Sequence, residues 1–542
     1  MFDIKIINGL IVDGTGKKAF AADLAINGDK IAAIGDLSKE DAKKVIDAKG
    51  QMVAPGFIDF HTHSDYTILF DQRACSRIHA GVTTNVIANC GIGLAPIRDE
   101  RKQDLINYLS TRIVGTVNAP LFLDWNTVDE YFKRIESNPP AVNVVAYLAQ
   151  GPVRIDEMGF QDGPASPEQL EHMKAEVVKA MEAGCIGLTS GLIYMPGSYT
   201  PKEEMAELCK AMAPYGGYYC THIRDEGDLE MEALDEAIYI AKEGGVPLHV
   251  SHLKAMGAQN YGNVKLCFEK LKAAEAEGLE VSYDAYPYSR GMTSLGAFMP
   301  PWLFEGGVSN LVERLKVPEL REKAKQDVIN GLDNWHSTFV MCGGWKGVMI
   351  GSVMKEENKY MEGKTLQDLA DDAGVDAFDF AFDLLISENG KVQVVDSIMD
   401  QADVDTVITD PNTMIGSDSC DFAHDGILNF GKPHPRAYGT TGVMFRRYVR
   451  ELGLLTNEDV VRKMTSLPAK RLGIANERGT LKEGYFADIV IFDPETISDV
   501  ATYADPKQYS VGIDTVIVNG QVSMENGVQL EDVHAGRLLR RK

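Results

Sequence analysis

Residues 218–254 read YYCTHIRDEGDLEMEALDEAIYIAKEGGVPLHVSHLK. The stretch opens on a short apolar run at 218–221 that reads as a β-strand and stops at His222. A helical pattern follows, and a second apolar run, 247–251, stops at His252. Strand, crossover helix and strand make a parallel unit with both histidines at the same end. If such units close into a barrel, all the strand ends meet at one mouth, and chemistry concentrates there.

The same alternation runs outward in both directions. Strands are predicted at 53–60, 83–88, 142–148, 186–189, 218–221, 247–251, 280–284 and 413–417. Eight strands with helical crossovers predict an α/β protein built on a TIM-like (β/α)8 barrel. Ser166-Pro167-Glu168-Gln169 reads as a capping box with Pro at the first helical position, its helix ending near Gly184. Thr200-Pro201-Lys202-Glu203 reads as a second box, its helix stopping at Gly216-Gly217. Both chain ends are β-rich. An Asn27-Gly28 hairpin near the start is answered by Asn519-Gly520 near the end. These predict a small β-sandwich domain formed by 1–52 plus 480–542, around a metal-binding barrel at 53–479. More than a hundred residues separate the seventh and eighth strands, and 290–350 reads as a lid or specificity insertion on the active face.

The 542 residues carry a net charge of −25, from 54 basic and 79 acidic side chains. So acidic a surface repels phosphate backbones and anionic headgroups, which argues against nucleic-acid or membrane partners. No apolar stretch reaches the roughly 18 residues a membrane span needs, and the first residues, Met1-Phe2-Asp3-Ile4-Lys5-Ile6-Ile7, read as a strand rather than a signal peptide. The eight cysteines form no CxxC pair, which fits free thiols in a reducing, cytoplasmic setting.

The chemistry-bearing residues fall at strand ends: His61 and His63, Cys90, His222, His252 and Asp418. His61 and His63 are two apart on a strand, so their rings share a side and could hold one metal. Asp59 and Asp65 flank them as possible orienting acceptors. Cys90, in Asn89-Cys90-Gly91, reads equally as a ligand or as a buried packing residue; a thiolate would favour zinc. His249 is three residues from His252 and reads as structural. Asp418 reads as a proton carrier beside a metal-bound water, against the alternative of a helix N-cap. A cysteine nucleophile is the main chemical rival, but Cys90 has no dedicated base.

Taken together these residues resemble the amidohydrolase superfamily, and within it the N-acyl-D-amino-acid deacylase (D-aminoacylase) family. The resemblance spans nearly the whole chain: Val53-Ala54-Pro55-Gly56-Phe57-Ile58-Asp59 leading to HTHSD at 61–65, Gly81-Val82-Thr83-Thr84 leading to NCG, THIRDE at 221–226, SHLK at 251–254, YPY at 286–288, HPRAYGT at 434–440, MTSLPAKRLG at 464–473 and AGRLLRR at the tail. It implies a tight zinc on Cys90, His222 and His252. His61 and His63 form a second, weaker position that Cys90 can bridge, and Asp418 is general base and acid. Lys254, Tyr286 and Arg436, with Tyr194, become substrate contacts. Arg makes a bidentate fork to a carboxylate, which suits that role. Hydantoinases and dihydroorotases carry a carboxylated lysine on strand four; here that strand reads Cys185-Ile186-Gly187-Leu188-Thr189-Ser190. The chain also departs from the family near position 150, where relatives tend to have His and this chain has Gln150, and near 292, where the loop after YPY usually offers Ser and this chain reads Ser289-Arg290-Gly291-Met292-Thr293. Arg290 reads either as a contact for an acidic or polar substrate side chain or as solvent-facing. The implied activity is zinc-dependent hydrolysis of N-acyl-D-amino acids, small molecules, to a carboxylate and a D-amino acid. Alternatives are a cyclic amide or other N-acyl or N-carbamoyl substrate, and a non-catalytic homologue.

Overall fold

The computed structural model describes residues 1–110, 122–332 and 335–541. Eight parallel strands run in chain order: Phe57–Asp59, Val82–Ile87, the interrupted strand Asn143–Ala146 with Leu148–Ala149, Gly187–Gly191, Tyr218–His222, Leu248–Val250, Val281–Ala285 and Thr413–Ile415. The ring closes where Phe60 N–H donates to Ile415 O at 3.3 Å and Asp418 N–H to His61 O at 2.8 Å. Inside it Ile58, Phe60, Val86, Tyr147, Tyr218 and Met414 pack on one another. Phe57, Ile87, Val144, Leu188, Tyr219 and Leu248 belong to a larger core shared with the surrounding helices. Strands covered on both faces read as continuous apolar runs, which is why this alternation was legible.

The run expected as one strand at 53–60 is two. Met52–Pro55 pairs antiparallel with Ile489–Phe492 in a nine-stranded sheet built from both chain ends. Phe57–Asp59 then starts the barrel. Gly56 makes the crossing, and a Cβ there would sit 2.3 Å from two atoms of Thr83, so the close approach needs glycine.

Local signals mostly held, with two shifts. Ser166 caps Pro167–Ala183 in a full capping box, and Gly184 ends that helix at φ +106°. Thr200 does not cap the next helix: Lys202–Met212 starts after Pro201 with no side-chain cap. The Thr200 hydroxyl instead accepts from Gln150 Nε2 at 2.9 Å. At the chain end Asn519 and Gly520 both have positive φ, as a type I′ turn demands. In the first hairpin Asn27 pairs with Lys30, so the turn itself is Gly28-Asp29.

Between the seventh and eighth barrel strands lies a three-stranded antiparallel sheet. Arg290–Ser294 and Val348–Ser352 flank Gln393–Ser397, so the central strand comes from beyond 290–350. Among the described residues no helix is long and apolar enough to cross a membrane. All eight cysteines are buried and free.

Candidate metal centre and substrate cleft

The strand ends bring the six expected residues to one point. His61 Nε2 lies 3.2 Å from Cys90 Sγ, which lies 3.4 Å from His252 Nε2. Donor atoms of Cys90, His222 and His252 fall within 4.8 Å of one another, as do those of His61, His63 and Cys90, and of His61, His252 and Asp418. His61 and His63 stand just past their strand, which ends at Asp59. A parallel bridge from Thr62 to Ser419 carries the pairing on through them.

Three of these residues bend the backbone into the left-handed region: Cys90 at φ +54°, His252 at +34° and Asp418 at +50°. Each such non-glycine residue costs about 1–3 kcal/mol and persists only where its surroundings enforce it. No helix starts at Asp418, so the N-cap alternative is gone.

Buried carboxylates hold the imidazoles. Asp284 accepts from His249 Nε2 at 2.8 Å and sits 3.2 Å from His61 Nδ1. Burial would raise its pKa, but His61 and His249 outweigh that and hold it far below the carboxylate range. His249 is therefore structural, as expected, yet it reaches the site through a shared carboxylate. Glu226 lies 3.3 Å from His222 Nε2, 3.0 Å from His252 Nδ1 and 2.7 Å from Lys254 Nζ. Against the cost of burial, the His222 imidazole and the Lys254 ammonium beside it hold Glu226 well below its usual range. His252 is pushed down to about 3 by burial and by Lys254, which leaves its ring neutral, the form that binds metals.

Asp59 and Asp65 do not orient the histidine rings. Asp59 accepts from Ser417 N–H at 2.8 Å and from Arg77 Nη1 at 2.9 Å. Both Asp65 oxygens and His63 Nδ1 are buried without a hydrogen-bond partner. Arg77, itself buried, also donates to Asp421, Ser417 Oγ and the carbonyls of Ser419 and Cys420. It ties the loop that carries Asp418 to the first barrel strand.

These residues fit a metal of zinc type. Soft sulfur and imidazole nitrogens select it. Burial, with the nearby Asp418 charge, pushes the Cys90 thiol well above its ordinary range. His222 Nδ1 is buried with no hydrogen-bond partner, and its Nε2 has only the Glu226 carboxylate, 3.3 Å away. A cation among them would answer both costs.

The cleft above holds a cavity of about 110 Å³ and is open to solvent. Lys254, Tyr286, Arg436 and Tyr194 all line it. Arg436 Nη1 is 3.0 Å from Asp418 Oδ2, and its guanidinium lies 4.5 Å over the Tyr286 ring. The Tyr194 ring packs 5.0 Å from His222. Arg290 does not line the cleft; its guanidinium stacks 4.4 Å over Tyr503.

A family model described as the amidohydrolase family matches residues 44–524. The chain belongs to the amidohydrolase family. Among the curated relatives of this amidohydrolase is D-aminoacylase of Alcaligenes xylosoxydans xylosoxydans, 34% identical, with 100% of this chain and 98% of that protein covered. Among solved structures, a D-aminoacylase superposes with a TM-score of 0.81 at 32% identity, covering 100% of both chains. N-acyl-D-glutamate deacylase from Bordetella bronchiseptica, complexed with zinc and a phosphonate inhibitor, gives 0.80 at 30% identity over 99% of both. D-hydantoinase, at 16% identity and 0.57, shares the amidohydrolase fold alone.

Sequence reasoning named the residues that meet at the barrel mouth but not what holds them. Glu226 stands four residues past His222, in the quoted THIRDE motif, and that spacing was its signal. Asp284 sits within an apolar strand, where a carboxylate must have a partner. Arg77 left no signal, because its partners lie over 300 residues away in sequence or on another element.

Proposed function

We propose that this amidohydrolase is a zinc-dependent N-acyl-D-amino-acid deacylase, releasing a carboxylate and a D-amino acid. The observation that carries the reading is the meeting of Cys90, His222 and His252 donors beside Asp418. Cys90, His222 and His252 would hold the tight metal, and His61 and His63, sharing Cys90, a weaker one. Zinc there supplies Lewis acidity, polarising a carbonyl and acidifying water.

Asp418 does the proton work. Its carboxylate takes a proton from the attacking water and later delivers it to the departing amide nitrogen, so water is consumed as the C–N bond breaks. Arg436 forks onto the substrate α-carboxylate, with Lys254 as a point charge and the Tyr286 face beneath, while Tyr194 flanks the site. In the free site the Arg436 cation belongs to Asp418. Burial would raise the Asp418 pKa, yet Arg436 and the imidazoles hold it well below the usual range. A substrate carboxylate that shares Arg436 weakens that hold and leaves Asp418 a better base.

A linear rather than cyclic amide is supported by the fourth strand, Gly187–Gly191, which offers no lysine. The D configuration is supported by relatives named for D-amino acids at over 30% identity. Eight buried free thiols suit a reducing, cytoplasmic setting. The test pairs metal analysis with hydrolysis of matched N-acetyl-D- and N-acetyl-L-amino acids. Stoichiometric zinc with D-selective turnover is expected; zinc-free active protein, or equal turnover of the L series, overturns the reading.

A further inference from the structure

The charges lining the cleft are paired, with one exception. Glu226 meets Lys254 at 2.7 Å, and Asp418 meets Arg436 at 3.0 Å. Asp396, on the central strand of the inserted sheet, also lines the cleft and is only 3% exposed. Its Oδ1 is buried without a hydrogen-bond partner, and among the described residues no salt bridge reaches it. A buried carboxylate left so is costly unless a cation arrives. Burial pushes its pKa up to about 6, with the Arg436 charge opposing from beyond contact.

The neighbouring strand leaves room for such a cation. Gly291 pairs with Asp396 in register and lines the same cleft. A Cβ on Gly291 would stand 2.5 Å from Asp396 Oδ1 and 2.9 Å from Ile398 Cδ1. The missing side chain keeps the approach to the carboxylate open. Arg290, the adjacent cation, is turned onto Tyr503 and does not fill the gap.

We propose that Asp396 and the Gly291 notch form the subsite for the substrate's amino-acid side chain and select cationic ones, of the lysine, ornithine and arginine class. This rests on the deacylase reading above. A substrate α-carboxylate would occupy Arg436 and Lys254, the two cations nearest to offsetting Asp396. A positively charged side chain restores the balance; an acidic one worsens it.

The test uses zinc-loaded full-length enzyme with N-acetyl-D-lysine, N-acetyl-D-norleucine and N-acetyl-D-glutamate. Norleucine matches lysine in length without its charge. The expected result is a kcat/KM for the lysine substrate at least tenfold above norleucine, with glutamate lowest. Asp396→Asn should cut the lysine-to-norleucine ratio at least tenfold, and Asp396→Lys should bring glutamate above lysine. A wild-type enzyme that favours norleucine or glutamate overturns the proposal with no variant needed. An unchanged ratio in a folded Asp396→Asn overturns it as well. If none of the three is hydrolysed, the deacylase reading fails by itself. Calorimetric binding of the lysine and norleucine compounds then judges the subsite: tighter lysine binding that Asp396→Asn abolishes supports it, and equal binding sinks it.

Discussion

Arg436 Nη1 stands 3.0 Å from Asp418 Oδ2, while Asp418 Oδ1 stands 3.1 Å from His63 Nε2. One carboxylate thus joins the cation proposed to bind substrate to the proposed second metal position. General acid–base groups are worth about 10²–10⁴-fold in rate. Asp418→Asn should lose that much kcat with bound zinc unchanged. Turnover near wild type at full metal content would remove Asp418 from the proton path.

Cys90 stands between His61 on one side and His252 on the other, and so touches both proposed metal positions. Cys90→Ser keeps the size but replaces a soft donor with a poor one. Zinc content after dialysis should fall below one equivalent, and activity should fall with it. Full zinc retention in Cys90→Ser would show the thiol to be a packing group.

Asp284 holds His61 and His249 from behind. Partners of this kind typically cost 10–100-fold in metal affinity or activity when removed. Asp284→Asn should therefore weaken zinc binding or activity on that scale, read by competition with a chromogenic chelator and by kcat. No change in either would make Asp284 merely a core residue.

Arg77 is 2% exposed between Asp59 and Asp421, both buried. Removing one partner of a buried ion pair strands the others and costs about 3–5 kcal/mol. Arg77→Ala should unfold at markedly lower denaturant. Because the same side chain holds the 417–420 loop, its residual folded fraction should also show a kcat deficit beyond the loss of folded enzyme.

Glu230 is buried, with Oε1 accepting from Cys267 Sγ at 3.0 Å and Oε2 unpartnered. Burial raises its pKa from 4.5 to about 8. A carboxyl raised in the fold contributes stability that is fully present below its unfolded pKa. That contribution is lost, at about 1.4 kcal/mol per pH unit, as pH climbs towards the folded value. Glu230→Gln removes the titration. Its stability relative to wild type should rise between pH 4.5 and about 8, measured by urea unfolding across that window. A flat difference would place the Glu230 charge in a solvated setting.

The barrel and its mouth were legible in the chain because parallel strands buried on both faces read as apolar runs, and five of the eight here are followed by a residue with chemistry to offer. His222 and His252 announce themselves this way, 30 residues apart with a helix between. Capping at Ser166 and the turn at Asn519-Gly520 are local bargains between a few adjacent residues, and sequence alone decides them. What needed the tertiary structure was partnership. Asp59 lies beside the histidines in sequence yet serves Arg77 and Ser417, while Asp284, more than 200 residues on, serves His61. Gly56 divides one apolar run between two sheets because Thr83 crosses against it. Asp396 carries no motif; only the pairing of Gln393–Ser397 between two distant strands sets it in the cleft with its Oδ1 unpartnered. Electrostatic and packing energies depend on distance in space, and chain order is silent about that distance wherever the connection is long.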